Sequence, residues 1–428
     1  MKIQLTLLFF LTLSNIYAQS KSVKNTMPLE KGSATEQGIS SERLAKIDAM
    51  LKDAIRENEI PGAVALIARN GKIIFHNAYG IADDKNHKMD NGAIFRIASQ
   101  TKAITSTAVM MLWEEGKFRL DDPISKYIPE FKEAKILDTF NESDGSYTTK
   151  LAKNQITIRH LLTHTSGLGY GVIDGDKRFQ KIYKKAGITD LYSAENITIE
   201  ESVKKLALLP LHHDPGTAYI YGEGLDVLGY FIEIVSGMPF DEFLRTRIFD
   251  PLGMNDTWFY LPKEKHDRLV AIQHKVNDEW ENYPVTFYDP DYPKKGAARF
   301  FSGGAGLSST ARDYASFLQM YLNHGELNGT RILSRTTIQS IMGNQSGELF
   351  GGDGKDYGLA FGLVTRHGQN LGGQGSEGTF DWGGYFNTQY FADPKEKIIG
   401  ILMKQMRDTP GDETGWKFRQ MVFAAVDD

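Results

Sequence analysis

The sequence predicts an α/β (α+β) protein: an antiparallel sheet flanked by helices, interrupted by an inserted, mostly helical region over about residues 121–330. Three observations predict it. A helix-period stretch followed by two β-rich runs stands near the N-terminus, helix-period blocks fill the middle, and strand-like runs with a closing helix end the chain. The two ends are complementary in type, so strands from both can share one sheet with the block inserted between them.

The elements follow in order. Ser40 and Ser41 offer a cap, and Leu44, Ile47, Leu51 and Ile55 recur at helical spacing, so a helix should run to about Asn58 and break at Pro61-Gly62. The runs 64–67 and 73–75 are β-rich and flank Asn70-Gly71, the signal of a tight hairpin. Ala103, Ile104, Thr107, Ala108, Met111 and Leu112 form one stripe, predicting a helix from Ser99 to about Glu115. Further helical patterns cover Leu161-Leu162, 203–209, 224–236 and 311–323. Strands are expected over 359–365, 388–392 and 398–403, and a last helix over 416–426. The glycine-rich stretches 351–354 and 372–378 read as loops. Neither is a phosphate loop, since Gly354-Lys355 is followed by Asp356.

With 428 residues the chain makes one large domain or two intimately joined ones, and it can bury a large core. A net charge of -5 gives no electrostatic attraction to nucleic acid or to anionic membranes. The absence of cysteine rules out disulfides, a thiolate nucleophile and thiolate metal sites. Lys2, an apolar run to Leu13 and the small or polar exit Ser14, Asn15 and Ala18 read as a signal peptide over 1–18, cut after Ala18. The run is too short to span a bilayer, and no later run is long enough. The protein is therefore expected to be exported, periplasmic or secreted. Residues 19–38 are polar without a hydrophobic period and read as a flexible leader, leaving 39–428 as the folded domain.

The strongest chemical signal is Ser99-Gln100-Thr101-Lys102 at the start of an apolar helix. Residues three apart share a helix face, so the Lys amine can reach the Ser hydroxyl. A serine attacks carbonyls only once a base takes its proton, and a desolvated lysine can be such a base or relay. The helix N-terminus adds N–H groups beside a developing oxyanion. In isolation the same four residues fit a capping serine and a solvated lysine. The apolar lead-in 94–98 and the apolar helix that follows favour a buried Lys102. Other features carry less. His212-His213-Asp214 lacks chelating spacing and no H-E-x-x-H occurs, so no metal site is expected. No G-x-S-x-G elbow exists. Trp258, Phe259, Tyr260, Trp280, Tyr283, Phe287, Tyr288 and Tyr292 either line a pocket or pack a long loop.

The stretch Phe95 through Lys102 resembles the nucleophile region of the serine β-lactamase and penicillin-binding-protein superfamily, nearest to class C β-lactamases and family VIII carboxylesterases. Segments 157–168, Pro215-Gly216-Thr217, 248–254 and 302–310 are similar to further family signatures, so the resemblance covers about residues 40–425. It implies a β-lactamase/transpeptidase-like fold and two-step acyl transfer without metal or organic cofactor. By the same resemblance Tyr221 is the candidate base for Ser99 and later acid for the leaving group, held by Lys102. His164 and Ser166 belong to a turn in the helical region. Glu223 replaces the family's Asn; if it faces Lys102 it favours the charged amine, and otherwise it points elsewhere. Trp382-Gly383-Gly384 stands where the family has Lys-Thr-Gly, and the N–H groups of Ser99 and Tyr385 are the implied oxyanion donors. Glu223, Trp382, Gly383 and Gly384 are the expected substrate-binding residues.

Trp carries no charge where penicillin-recognising members use Lys to hold a substrate carboxylate. The expected substrate is therefore a neutral or apolar ester, with Arg366, Lys404 and Arg407 as candidate substitute cations. The alternatives are a β-lactamase or D-amino-acid peptidase, and a catalytically silent ligand-binding member. The partner is a small ester, amide or β-lactam. The sequence does not set an oligomeric state.

Overall fold

The computed structural model describes residues 21–408 and 411–428; the signal-peptide reading over 1–18 lies outside them. Leu29 is buried and leads into a short strand, β1 (Glu30–Lys31). Helix α1 (Ser41–Arg56) is capped by the Ser40 hydroxyl, which accepts from the Arg43 N–H, and buries Leu44, Ile47, Leu51 and Ala54. Strands β2 (Gly62–Arg69) and β3 (Lys72–Gly80) form the hairpin, turned at Asn70 and Gly71, both with positive φ. Helix α2 (Thr101–Glu114) follows. In the middle of the chain lie α3 (Gly224–Ser236) and α4 (Ala311–Leu322). The C-terminal part supplies β4 (Lys355–Tyr357), β5 (Gly362–Val364), β6 (Phe380–Gly383), β7 (Gln389–Asp393), β8 (Ile398–Met403) and α5 (Thr414–Ala424).

These strands make one eight-stranded sheet in the order β1-β3-β2-β8-β7-β6-β5-β4. Neighbours are antiparallel except β1 and β3. The join between the two ends of the chain is β2 against β8, with Val64 opposite Met403 and Arg69 opposite Ile398. Every residue of β2 and of β8 is buried, because helices cover both faces. The alternation of a strand then divides the side chains between two cores. Val64, Leu66 and Ala68 join Ile399, Ile401, Met403 and the apolar face of α4. Ala63, Ala65 and Ile67 join Leu402 of β8, Ile47 of α1, and Phe418 and Val422 of α5. Helix α2 is buried all the way from Thr101 to Leu112, so it is an interior helix and not the one-sided amphipathic helix its stripe suggested.

Three expectations are corrected. The leader over 19–38 is not flexible throughout: β1 pairs with Lys72 and Ile73, and Lys72 Nζ donates to Glu30. Only Leu29 anchors it, too little for a hydrophobic period to show. The region 121–330 is less uniformly helical than expected, since it holds hairpins Lys135–Phe140 with Tyr147–Leu151 and Gln273–Val276 with Glu279–Asn282. Tyr147–Leu151 is exposed along its whole length, so no buried face marks it in sequence. The strand expected over 359–365 is confined to Gly362–Val364, because Ala360 takes a left-handed φ of 69° that no strand accommodates. Among the described residues no helix is long and apolar enough to cross a membrane.

Candidate active site

Ser99 does not open α2 directly. It sits in a 3-10 turn, Ala98–Gln100, between the short strand Phe95–Arg96 and α2. Ala98 is fully buried with φ of 45°, a conformation that L residues adopt only when their surroundings enforce it. This bend leaves Ser99 part-exposed between two buried neighbours. Lys102, one turn on, is 0% exposed. Its Nζ donates to Ser99 Oγ at 3.3 Å, to Tyr170 Oη at 2.9 Å and to the Gly304 carbonyl at 2.7 Å. None of these partners is a carboxylate. The amine is thus fixed by three neutral oxygens in a dry place.

Tyr221 belongs to the same group, by a different contact from the one expected. Lys102 Nζ lies 4.6 Å from the centre of its ring, while its hydroxyl accepts from Trp382 Nε1 at 3.2 Å. The phenol oxygen bonded to Lys102 is that of Tyr170. Burial pushes the Tyr170 hydroxyl well above its usual pKa, with neighbouring Tyr221 and carboxylates adding to the effect, so it stays a neutral phenol. The His164 ring packs at 4.4 Å against Tyr221, and His164 Nδ1 accepts from the Gly222 N–H. Burial and Lys102 push His164 well below its usual pKa, so it remains neutral; as expected it lies in a turn.

The opposite wall is the end of β6. A Cβ on Gly384 would lie 2.5 Å from the Ile97 carbonyl and 2.2 Å from Thr388 Oγ1. Only glycine lets this strand end lie directly against the turn that carries Ser99. Gly384→Ala is therefore expected to push Tyr385 away from Ser99 and lower kcat/KM for an ester about a hundredfold, the scale of a 1 Å misplacement. An unchanged kcat/KM in steady-state assays would contradict that contact. Gly383 precedes it at the end of β6, where it pairs with Gln389. Trp382 meets the Tyr357 ring edge to face, and its N–H is already committed to Tyr221.

Glu223 is corrected from the substrate-binding role. It is 3% exposed and hydrogen-bonds Asp190 inside the protein, in the field of Lys102. The cause is local: a Cβ on Gly222 would meet the Leu168 carbonyl at 2.1 Å, so the chain turns tightly inward there. Asp226, one turn later on α3, accepts from Ser302 Oγ at 2.5 Å and from the Gly304 N–H at 3.2 Å. That fixes the loop whose carbonyl holds Lys102. The sequence reading missed Tyr170, Asp190 and Asp226. A charged residue on the buried face of an apolar helix was a usable signal for Asp226. Tyr170, between Gly169 and Gly171, carried only the hint of an aromatic in a glycine-rich turn.

Of the three candidate cations, only Arg407 reaches the site. It lies over the Tyr385 ring at 3.8 Å and donates to the Tyr385 carbonyl at 3.0 Å. Arg366 is an exposed partner of Glu377. Lys404 is fully buried and paired with Asp412 and Thr414. Removing the carboxylate with Asp412→Ala strands that buried charge. It is expected to cost about 3 to 5 kcal/mol in a denaturant melt, and a loss below about 1 kcal/mol would contradict the pairing. His212 stacks on Phe179 and bonds Asp174, and His213 bonds the Asp214 carbonyl. Among the described residues no group of three or more His, Asp or Glu could hold a metal ion. The aromatic stretch divides. Tyr283, Tyr288 and Tyr292 cluster with Tyr192 and Phe386 next to Tyr385, whereas Trp258 and Phe259 pack against Arg245 and Phe240. Phe287, Tyr183, Asp190 and Tyr192 line a cavity of about 480 Å3.

A model of the beta-lactamase family matches residues 47–422. Esterase EstB of Burkholderia gladioli is 31% identical over 386 residues, which are 85% of this chain and 90% of that protein. Lovastatin esterase of Penicillium rubens is 27% identical over 378 residues, 83% of this chain and 91% of that one. Among solved structures, EstCE1, titled a hydrolase with promiscuous acyltransferase activity, superposes with a TM-score of 0.75 at 28% identity, over 90% of this chain and 99% of its own.

Proposed function

The chain belongs to the beta-lactamase family and is a serine hydrolase, and from that premise we propose that it cleaves small, uncharged carboxylic esters through a Ser99 acyl-enzyme. One observation carries the reading: a lysine amine with no exposure, 3.3 Å from a part-exposed serine hydroxyl and bonded otherwise only to a phenol and a carbonyl. An amine without a carboxylate partner, held out of water, loses its proton more readily than a solvated one.

In the proposed reaction the Ser99 proton passes to Lys102 as Oγ bonds to the ester carbon. The carbonyl oxygen takes the negative charge and is held by the N–H groups of Ser99 and Tyr385, a placement supported by the close approach of Gly384 to the Ile97 carbonyl. The carbon–alkoxide bond then breaks, and the alkoxide takes a proton through Tyr221, whose ring lies over Lys102. Water enters, gives a proton to the same base and releases the acid. Tyr170 holds the amine in place. The uncharged substrate is supported by Trp382 at one wall and by Arg407 being engaged with Tyr385. The names of EstB and EstCE1 support an ester, and that of EstCE1 supports an alcohol as a second acyl acceptor beside water. Export with cleavage after Ala18 belongs to the same proposal; the mass of the protein recovered from the periplasm or medium checks it.

The test is a panel of nitrophenyl esters, a chromogenic cephalosporin and D-amino-acid amides, run with and without added alcohol, together with mass mapping of a fluorophosphonate adduct. Ester turnover in excess of the other classes and an adduct on Ser99 are expected. Faster cephalosporin or amide turnover would replace the ester reading with a β-lactamase or peptidase, and no adduct at any pH would mean a silent binding protein.

A further inference from the structure

Four carboxyl groups lie close together behind Lys102: Asp174, Asp190, Glu223 and Asp226, each 6% exposed or less. Three of them have donors that suit an ionised carboxylate. Asp226 has the Ser302 hydroxyl and the Gly304 N–H. Asp174 has the Tyr170 N–H, the Asp176 N–H and His212. Asp190 Oδ2 has the N–H groups of Gly171 at 2.9 Å and Val172 at 2.6 Å. Glu223 is different. Its Oε1 is buried without a donor, and so is Asp190 Oδ1, although the two side chains are in hydrogen-bonding reach of each other. Two buried carboxylates cannot both stay ionised in contact, and two orphaned acceptors side by side are both satisfied by one proton.

We propose that Glu223 is a carboxylic acid that donates its proton to Asp190, forming a buried acid–carboxylate pair that keeps Glu223 neutral beside Lys102. The location of the proton follows from the donors: two backbone N–H groups stabilise the negative charge on Asp190, and none reaches the Glu223 side chain among the described residues. Burial, then the charges of Asp190 and Asp226, push Glu223 well above the usual carboxylate range, and Lys102 opposes this more weakly. The groups facing the pair are Lys102 from α2, Tyr170 and Asp174 from the loop after Gly167, Tyr183 from the helix Lys177–Ala186, and Asp226 from α3. Lys102 is the one cation among them. Loss of the shared proton at alkaline pH places a new negative charge in its field and favours the ammonium form, which cannot accept a proton from Ser99. Glu223 is thus a positioning residue, acting through Lys102.

The inference rests on the Ser99 and Lys102 reading for its effect on rate, but the proton itself can be seen independently of turnover. Infrared difference spectra of the whole protein at neutral pH should show a protonated carboxyl band that is missing in Glu223→Gln. In ester hydrolysis Glu223→Ala is expected to fall about tenfold while Glu223→Gln, which keeps a neutral donor, stays within about threefold. The alkaline limb of the Glu223→Gln pH profile should move upward. No band in the wild type, or a band retained in Glu223→Gln, overturns the shared proton. An unmoved alkaline limb overturns its action on Lys102. Loss of the wild-type adduct at Ser99 with the band intact would instead sink the catalytic reading alone.

Discussion

Ser99→Ala is expected to lower kcat for ester hydrolysis by about five to six orders of magnitude, the scale seen when the nucleophile of an acyl-transferring serine enzyme is removed. The loss is that large because no other hydroxyl can substitute. Ser99 is the part-exposed residue at the bend made by Ala98, and it alone combines access with the contact to Lys102 Nζ. The fold should be indifferent to the change. What disappears is one oxygen and one 3.3 Å hydrogen bond, and alanine fits where serine stood, so the stability should stay within about 0.5 kcal/mol of wild type. Initial rates on a nitrophenyl ester, with a denaturant melt run in parallel, check both halves. Residual turnover above about a percent of wild type would mean that another group attacks the ester.

The second large effect is at Lys102. Lys102→Met keeps the length and apolar stem of the side chain and removes the amine. Acylation is expected to slow about a thousandfold, within the range attributed to a positioned base. The change leaves the Gly304 carbonyl and the Tyr170 hydroxyl short of a partner, which should cost about 1 to 3 kcal/mol of stability. A fold that survives while the burst of fluorophosphonate labelling slows separates the two consequences. If labelling of Ser99 runs at the wild-type rate in Lys102→Met, the proton is taken elsewhere, and Tyr221 or Tyr170 becomes the group to examine.

Much of this arrangement is legible in the sequence where local physics decides it. The Ser40 cap, the Asn70-Gly71 hairpin, the span 224–236 and the span 398–403 stand where periodicity and turn chemistry place them. The family resemblance extends this to the sheet shared by both ends and to the approach of Tyr221, Trp382 and Ser99. Groups whose role exists only in three dimensions are not legible. Tyr170 stands in a stretch with no period, and becomes a partner of Lys102 because α2 and the loop after Gly167 meet. Asp190 and Glu223 are far apart along the chain and joined only through the fold. The left-handed Ala98 gives no sequence signal at all, since alanine is chosen elsewhere for the opposite conformation. The exposed hairpin Tyr147–Leu151 escapes for the converse reason: nothing buries it, so no pattern is imposed.

The pairing of β2 with β8 also has a consequence for how the chain is made. The second strand to leave the ribosome finds its partner only after more than three hundred further residues have been synthesised, so the central sheet cannot assemble on the nascent chain until synthesis is nearly finished. A polypeptide whose centre closes that late stays threadable for most of its synthesis, which suits passage through a narrow translocation channel before folding.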